Sequence, residues 1–158
     1  GSRNMQNLAL LRALGATGAI VLLKRGMAAT ISEWLQAGEH LMAAGAKGII
    51  FCERGILGRD PSTRNLLDLS AVAMLRHIHG LPIVVDPSHA LGRRDLIGPM
   101  SRAALAAGAH GLMVEAQPAD HRALSDAAQS LNPTELIDLA RNFELTPSLK
   151  AGREVTRL

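Results

Sequence analysis

The sequence predicts a parallel α/β fold built from four strand–helix units, and three observations support this. Short apolar runs recur at residues 18–23, 48–52, 82–85 and 111–114. Each run is followed by a stretch with helical periodicity, and alternating strands and helices imply a parallel sheet joined by right-handed crossovers. Apolar residues make up 47% of the chain but aromatics only 2%. The core is therefore Ala, Leu, Ile, Val and Met, which suits helices lying close on a sheet.

The elements follow in order. Residues 4–14 read as a helix and 18–23 as the first strand. Thr30-Ile31-Ser32-Glu33 is a capping box, with Thr at the N-cap and Glu at N3. Ile31, Trp34, Leu35, Leu41 and Met42 then mark one helix face as far as Gly45. The second strand is 48–52. A polar loop, 55–65, leads to a helix near 68–78, and 82–85 is the third strand. A helix over 94–107 ends at Gly108, and 111–114 is the fourth strand. Asn132-Pro133-Thr134-Glu135 sets N-cap, N1 proline and N3 acid in order for a helix reaching residue 145. Residues 1–145 thus form one α/β unit, and 146–158 a frayed or additional tail. A complete (β/α)8 barrel takes roughly 250 residues. The chain has 158, enough for about half a barrel or for a small open sheet with two unpaired edges.

Composition excludes several function classes. The formal charge is +3 and the isoelectric point about 9.7, with no Lys/Arg block. This mild excess suits small anions rather than nucleic acid, and aromatic platforms for stacking bases are absent. No apolar run approaches the ~20 residues that span a bilayer, and no signal peptide is read. Cys52 is the one cysteine, so no internal disulfide forms and a reducing cytoplasm is expected. The chain opens Gly1-Ser2 without methionine, as a cloning scar or a piece of a longer chain would.

The chemistry gathers at strand ends. In α/β folds ligands bind at the carboxyl ends of parallel strands. Lys24-Arg25-Gly26, Cys52-Glu53-Arg54-Gly55, Asp86-Pro87-Ser88-His89 and Glu115 each follow one of the four apolar runs. His89 reads either as a ligand or as a helix-capping or hydrogen-bonded residue of a βα loop. Glu115 needs a partner if buried. Asp126 is a further carboxylate, or a loop turn. His, Glu and Asp together make an N/O donor set suited to Mn²⁺, Fe²⁺, Co²⁺ or Zn²⁺. Lys24 and Arg54 offer a compact charge and a planar fork for phosphate or carboxylate, or else pair with Glu53, Asp86 or Glu115. Arg64 and Arg3 are further cations, and position alone makes Arg3 solvated. Cys52 is expected in the core. His40, His77, His79, His110 and His121 read as surface residues, and Trp34 and Phe143 as core. No glycine-rich phosphate loop is present.

These residues resemble the C-terminal half of a type I 3-deoxy-7-phosphoheptulonate synthase. The matching stretches are Arg3-Asn4-Met5-Gln6-Asn7, Leu22-Leu23-Lys24-Arg25-Gly26, Cys52-Glu53-Arg54-Gly55-Ile56, Thr63-Arg64-Asn65, Asp86-Pro87-Ser88-His89, Gly111-Leu112-Met113-Val114-Glu115 and Ala123-Leu124-Ser125-Asp126. They run in order along nearly the whole chain. The resemblance implies four βα units forming the C-terminal half of a (β/α)8 barrel. It implies an aldol-type condensation of phosphoenolpyruvate with erythrose 4-phosphate, the first step of the shikimate pathway, in the cytoplasm. His89, Glu115 and Asp126 would be three ligands of a divalent metal. Lys24, Arg54 and Arg3 would bind phosphoenolpyruvate, with Lys24 and His89 the catalytic pair.

The chain also departs from the family pattern. The family's cysteine ligand and its Lys-Pro-Arg-Thr-Ser-type motif belong to the other half, and Cys52 is not that ligand's counterpart. Glu-x-His-Pro is here Glu115-Ala116-Gln117-Pro118. Leu57 stands where the family has Arg, and the loop 58–62 is atypical. A half-barrel with half a site is expected to be weak or inactive alone, and to self-associate or to need its other half. Two alternatives are a 3-deoxy-8-phosphooctulonate synthase, which uses arabinose 5-phosphate, and a non-catalytic half-barrel assembly module.

Overall fold

The computed structural model describes residues 1–118 and 124–144, the side chains of residues 143 and 144 excepted. The proposed tail 146–158, His121 and the Phe143 side chain lie outside the described residues. Four parallel strands, β1 (Ile20–Lys24), β2 (Gly48–Glu53), β3 (Ile83–Val85) and β4 (Gly111–Leu112), pair in chain order. Register aligns Lys24 with Cys52 and Cys52 with Val84, so the strand ends lie level. β4 is shorter than the 111–114 run predicts. As an edge strand it pairs only with β3, and Met113 N–H still donates to the Val85 carbonyl at 2.8 Å.

The helices are α1 (Leu8–Ala16), α2 (Ile31–Ala43), α3 (Leu69–Ala73), α4 (Pro87–Leu91), α5 (Ile97–Ala106) and α6 (Pro133–Glu144). Both capping boxes form as the sequence predicts. Thr30 and Glu33 bond reciprocally at the start of α2. Asn132 Oδ1 accepts from Glu135 N–H, and Glu135 Oε2 from Asn132 N–H, each at 2.9 Å, at the start of α6.

Four further expectations need correction. The first helix begins at Leu8, not residue 4, because the Asn7 side chain caps it by accepting from Leu10 N–H at 3.1 Å. The helix after Asp68 is α-helical only to Ala73 and finishes in one wide π-type turn, Met74–Ile78. The helix placed over 94–107 starts at Ile97 after a 3-10 turn, Arg94–Leu96. Met42 is half exposed and lies off the core face of α2, whose buried residues are Trp34, Ala37, Gly38 and Leu41.

One continuous core joins the odd-numbered side of the sheet to the helices. Leu23, Phe51, Ile83 and Val85 pack with Trp34, Leu41, Val72 and Leu75. Trp34 stands edge-on to Phe51, with ring centroids 5.2 Å apart, and donates its indole N–H to the Leu23 carbonyl at 3.1 Å. The opposite face is open. Ile20 is 68% and Leu22 38% exposed, and Ile50 and Val84 are half-buried. All-parallel sheets normally have both faces covered, whereas among the described residues Ile20 and Leu22 leave part of this face uncovered.

Candidate active site

The Asp86-Pro87-Ser88-His89 turn organises the strand ends. Asp86 closes β3 and caps α4, its Oδ1 accepting from His89 N–H at 3.0 Å, with Pro87 at the first helical position. Asp86 Oδ2 takes two further partners, Lys24 Nζ at 2.6 Å and His89 Nδ1 at 2.8 Å. A carboxylate only accepts, so an imidazole hydrogen lies on Nδ1, and Nε2 faces the site. Ser88 is buried, and its Oγ accepts from Glu115 N–H at 3.0 Å. That bond ties the end of β4 to α4.

The loop after β2 braces the same turn. Arg64 and Asn65 N–H donate to the Leu91 and Ala90 carbonyls at 2.9 and 2.8 Å. Asn65 Nδ2 donates to the His89 carbonyl at 3.1 Å. Gly92 ends α4 in the left-handed region at φ 67°, where a Cβ would lie 2.8 Å from Arg64 Cβ.

His89, Glu115 and Asp126 come together. His89 Nε2 lies 3.5 Å from Glu115 Oε1 and 3.9 Å from Asp126 Oδ2. Asp126 sits in a turn at φ 58°, a conformation Asp tolerates better than most residues. Its Oδ1 accepts from Arg64 Nη1 at 3.0 Å and also from the Gln129 side chain. The Arg64 hydrogen bond, followed by that of Gln129, holds the Asp126 carboxyl below its usual range. Among the described residues no group of three or more His, Cys, Asp or Glu stands ready-formed around an ion. The spacing is nonetheless close to what an ion needs. Donors on a tetrahedral ion with ~2.1 Å bonds lie about 3.4 Å apart. His89 Nε2 thus stands near two carboxylates, and imidazole nitrogen and carboxylate oxygen are donor types that a divalent ion takes.

Of the cations, Lys24 is placed in the site by Asp86. Arg54 is 7% exposed, and its Nη1 is buried with no hydrogen-bond partner among the described residues. Burial lowers its pKa, while the nearby Asp86 charge opposes that shift. A buried guanidinium with an unused donor at the strand ends is suited to an anion. Arg3 is exposed in the turn Ser2–Asn4 and forms no hydrogen bond or ion pair among the described residues. That turn rests on Gly26, whose N–H contacts Met5 Sδ at 3.2 Å, so Arg3 is at the same end of the sheet as Lys24.

Cys52 is fully buried, as expected. Burial, followed by the Asp86 charge, pushes its thiol up to about 12, so it stays protonated and is a poor ligand. Beneath the site Arg25 Nη1 bonds Glu53 Oε2 at 3.0 Å and Asp68 Oδ2 at 2.9 Å, and Arg25 Nε donates to the Ala29 carbonyl. Glu53 Oε1 accepts from Gly55 N–H at 2.7 Å, fixing the backbone on either side of Arg54. Burial raises the Glu53 carboxyl, and the Arg25 hydrogen bond acts against that rise.

Reading the sequence for ligands missed Asp86, Ser88 and Asn65 as site residues. The signal for the first was present in the tetrapeptide itself, where an Asp N-cap and an N1 proline mark a helix start. The Ser88 and Asn65 contacts join different βα units and have no local signature.

Fold and site define a parallel α/β half-barrel whose strand ends set cations beside a His/Glu/Asp donor set. The model of the DAHP synthetase I family matches residues 1–150, and the chain belongs to that family. It is 52% identical over 132 residues to a phospho-2-dehydro-3-deoxyheptonate aldolase of Thermotoga maritima, covering 84% of this chain and 39% of that protein. It is 33% identical over 134 residues to a 2-dehydro-3-deoxyphosphooctonate aldolase of Syntrophotalea carbinolica, covering 77% of this chain and 47% of that one. The crystal structure of a Thermotoga maritima phospho-2-dehydro-3-deoxyheptonate aldolase superposes with a TM-score of 0.86 at 48% identity, over 91% of this chain and 43% of that one. The chain thus spans less than half the length of these relatives. Among the described residues no helix is long and apolar enough to cross a membrane.

Proposed function

We propose that the chain supplies the phosphoenolpyruvate- and metal-binding half of a 3-deoxy-7-phosphoheptulonate synthase. The reaction joins the methylene carbon of phosphoenolpyruvate to the aldehyde carbon of erythrose 4-phosphate, adds water at the enol carbon and releases phosphate. The observation that carries this reading is the buried Arg54 guanidinium, with Nη1 unpartnered beside the Lys24–Asp86–His89 chain. Arg54 receives the phosphate or carboxylate of phosphoenolpyruvate as a planar fork. Lys24 adds a point charge and a proton-bearing donor near the reacting atoms. Arg3, at the same end of the sheet, closes on the phosphate from outside. His89, Glu115 and Asp126 hold the divalent ion, which when bound would polarise the aldehyde oxygen or activate a water.

The open sheet face and the three-donor metal set support a further reading. The remaining contacts, including a fourth ligand and those to erythrose 4-phosphate, come from a second half-barrel seated on that face. Identity of 52% to the heptonate enzyme against 33% to the octonate enzyme favours erythrose 4-phosphate over arabinose 5-phosphate. The test is calorimetric binding of phosphoenolpyruvate to this chain with and without Mn²⁺. Binding that weakens at least tenfold in Arg54→Met supports the reading. Equal binding by the two proteins, or none by either, overturns it.

A further inference from the structure

Asp86 is fully buried and bonds three groups with two oxygens. Oδ1 holds the backbone N–H of His89, and Oδ2 holds both the His89 ring and the Lys24 ammonium. Residue 89 is therefore clamped at its backbone and its ring by one carboxylate. The same oxygen fixes the cation on the substrate side. We propose that Asp86 is a positioning residue shared by the two halves of the site. It aims His89 Nε2 at the metal position and sets the distance from there to Lys24. This rests on the function proposed above, in which His89 serves the ion and Lys24 the anion.

The chemistry favours aspartate specifically. An ionised carboxylate offers two oxygens with about four lone-pair sites and one negative charge. It can accept from both the ammonium and the imidazole at one oxygen while the other caps the helix. Asparagine retains the cap but has one acceptor oxygen and no charge, so it cannot cap α4 and accept both side chains. Outer-shell carboxylates of this kind fix the tautomer and ring direction of a ligating histidine. Here the shared oxygen extends that effect to a group that is not a ligand.

The test uses the full chain and Asp86→Asn, with circular dichroism confirming that both are folded. In the metal-free wild type, ¹⁵N spectra of the His89 ring should place its hydrogen on Nδ1, and in the variant this preference should be lost. The Lys24 Nζ signal should shift between the two proteins. Mn²⁺ affinity, read by electron paramagnetic resonance, should fall by about 10–100-fold. Phosphoenolpyruvate binding without metal should fall as well. A wild-type His89 ring with no hydrogen on Nδ1, or Mn²⁺ affinity unchanged in the variant, overturns the proposal. A weakened metal site with Lys24 Nζ and metal-free phosphoenolpyruvate binding unmoved overturns the shared role. If the wild type binds neither Mn²⁺ nor phosphoenolpyruvate, the proposed function fails, and the ring and Lys24 spectra still decide the role of Asp86. A variant that does not fold leaves the wild-type ring spectrum as the deciding measurement.

Discussion

Ser88 Oγ accepts the backbone N–H of Glu115 at 3.0 Å, although the two residues belong to different βα units. Ser88 is fully buried, so in Ser88→Ala the Glu115 N–H loses its partner in a place poorly served by water. An orphaned backbone donor costs about 1–3 kcal/mol. We expect that loss in urea denaturation, with faster amide exchange at Glu115. Mn²⁺ affinity should fall with it, because the carboxylate is no longer anchored to α4. Unchanged exchange at Glu115 would show that the bond does not hold the strand end.

The Arg25–Glu53 pair lies below the site and is almost wholly buried. Removing one member strands the other charge in a low dielectric, which typically costs about 3–5 kcal/mol. Arg25→Met is expected to lose that much in chemical denaturation. Arg25→Lys keeps the charge but cannot span Glu53, Asp68 and the Ala29 carbonyl together, so it should fall between wild type and Met. Equal stability of Lys and Met variants would mean the fork geometry is irrelevant.

The fold was readable where a local rule governs. Thr30-Ile31-Ser32-Glu33 and Asn132-Pro133-Thr134-Glu135 specify their helix starts through bonds within four residues, and both form. The four apolar runs give four parallel strands, because strands alternating with helices need crossover connections, and their order is a finding of the structure. What could not be read depends on contacts distant in sequence. Met42 has the right helical spacing for the core, yet it is half exposed and lies off the buried face of α2. The helix at 87–91 is only five residues long, too short to show a helical period, so Asp86-Pro87 is its one local sign. His89, Glu115 and Asp126 are legible as an N/O donor set beyond the strand ends, and the family resemblance implies that they are ligands. Their residue types allow a metal site, and only the Ser88, Asn65 and Arg64 bonds explain why they meet.

Cys52 gives a pH dependence with a definite sign. Burial raises its thiol from an ordinary 9.0 to about 12 in the folded chain. A group whose folded pKa is raised contributes stability that is complete below its unfolded value. That contribution is lost as pH rises toward the folded value. Stability measured between pH 9 and 12 should therefore decline, and less so in Cys52→Ala after correction for its lower baseline. At pH 8 the native thiol should resist iodoacetamide and react only on unfolding. Rapid native labelling would show a thiolate that the packing around β2 does not permit.

Gly55 follows Arg54 at φ 90°, and an added Cβ would meet Asn65 Cβ at 2.7 Å and Ala90 Cα at 2.9 Å. Gly55→Ala thus combines a left-handed backbone with a clash against the loop that braces α4. Such backbone strain costs on the order of 1–3 kcal/mol. The displacement should also reach Arg54, so phosphoenolpyruvate binding should weaken along with the melting temperature. Gly80 is the control, at φ 65° with nothing within 4 Å of the point an added Cβ would occupy. Gly80→Ala should show the backbone cost alone and leave binding intact.

Ile20 and Leu22 face away from the helices, and among the described residues the edges β1 and β4 each lack a second neighbour. An apolar face beside unpaired strand edges is a template for association. We expect the chain to sediment as concentration-dependent oligomers. Ile20→Lys places a charge on that face, beside the open edge of β1, and should shift the distribution toward monomer. Because Ile20 is 68% exposed, the substitution should change monomer stability by no more than about 0.5 kcal/mol. A wild-type chain that is monomeric at every concentration would remove the argument that this face seats a second half-barrel. Oligomers insensitive to Ile20→Lys would place the contact elsewhere on the molecule.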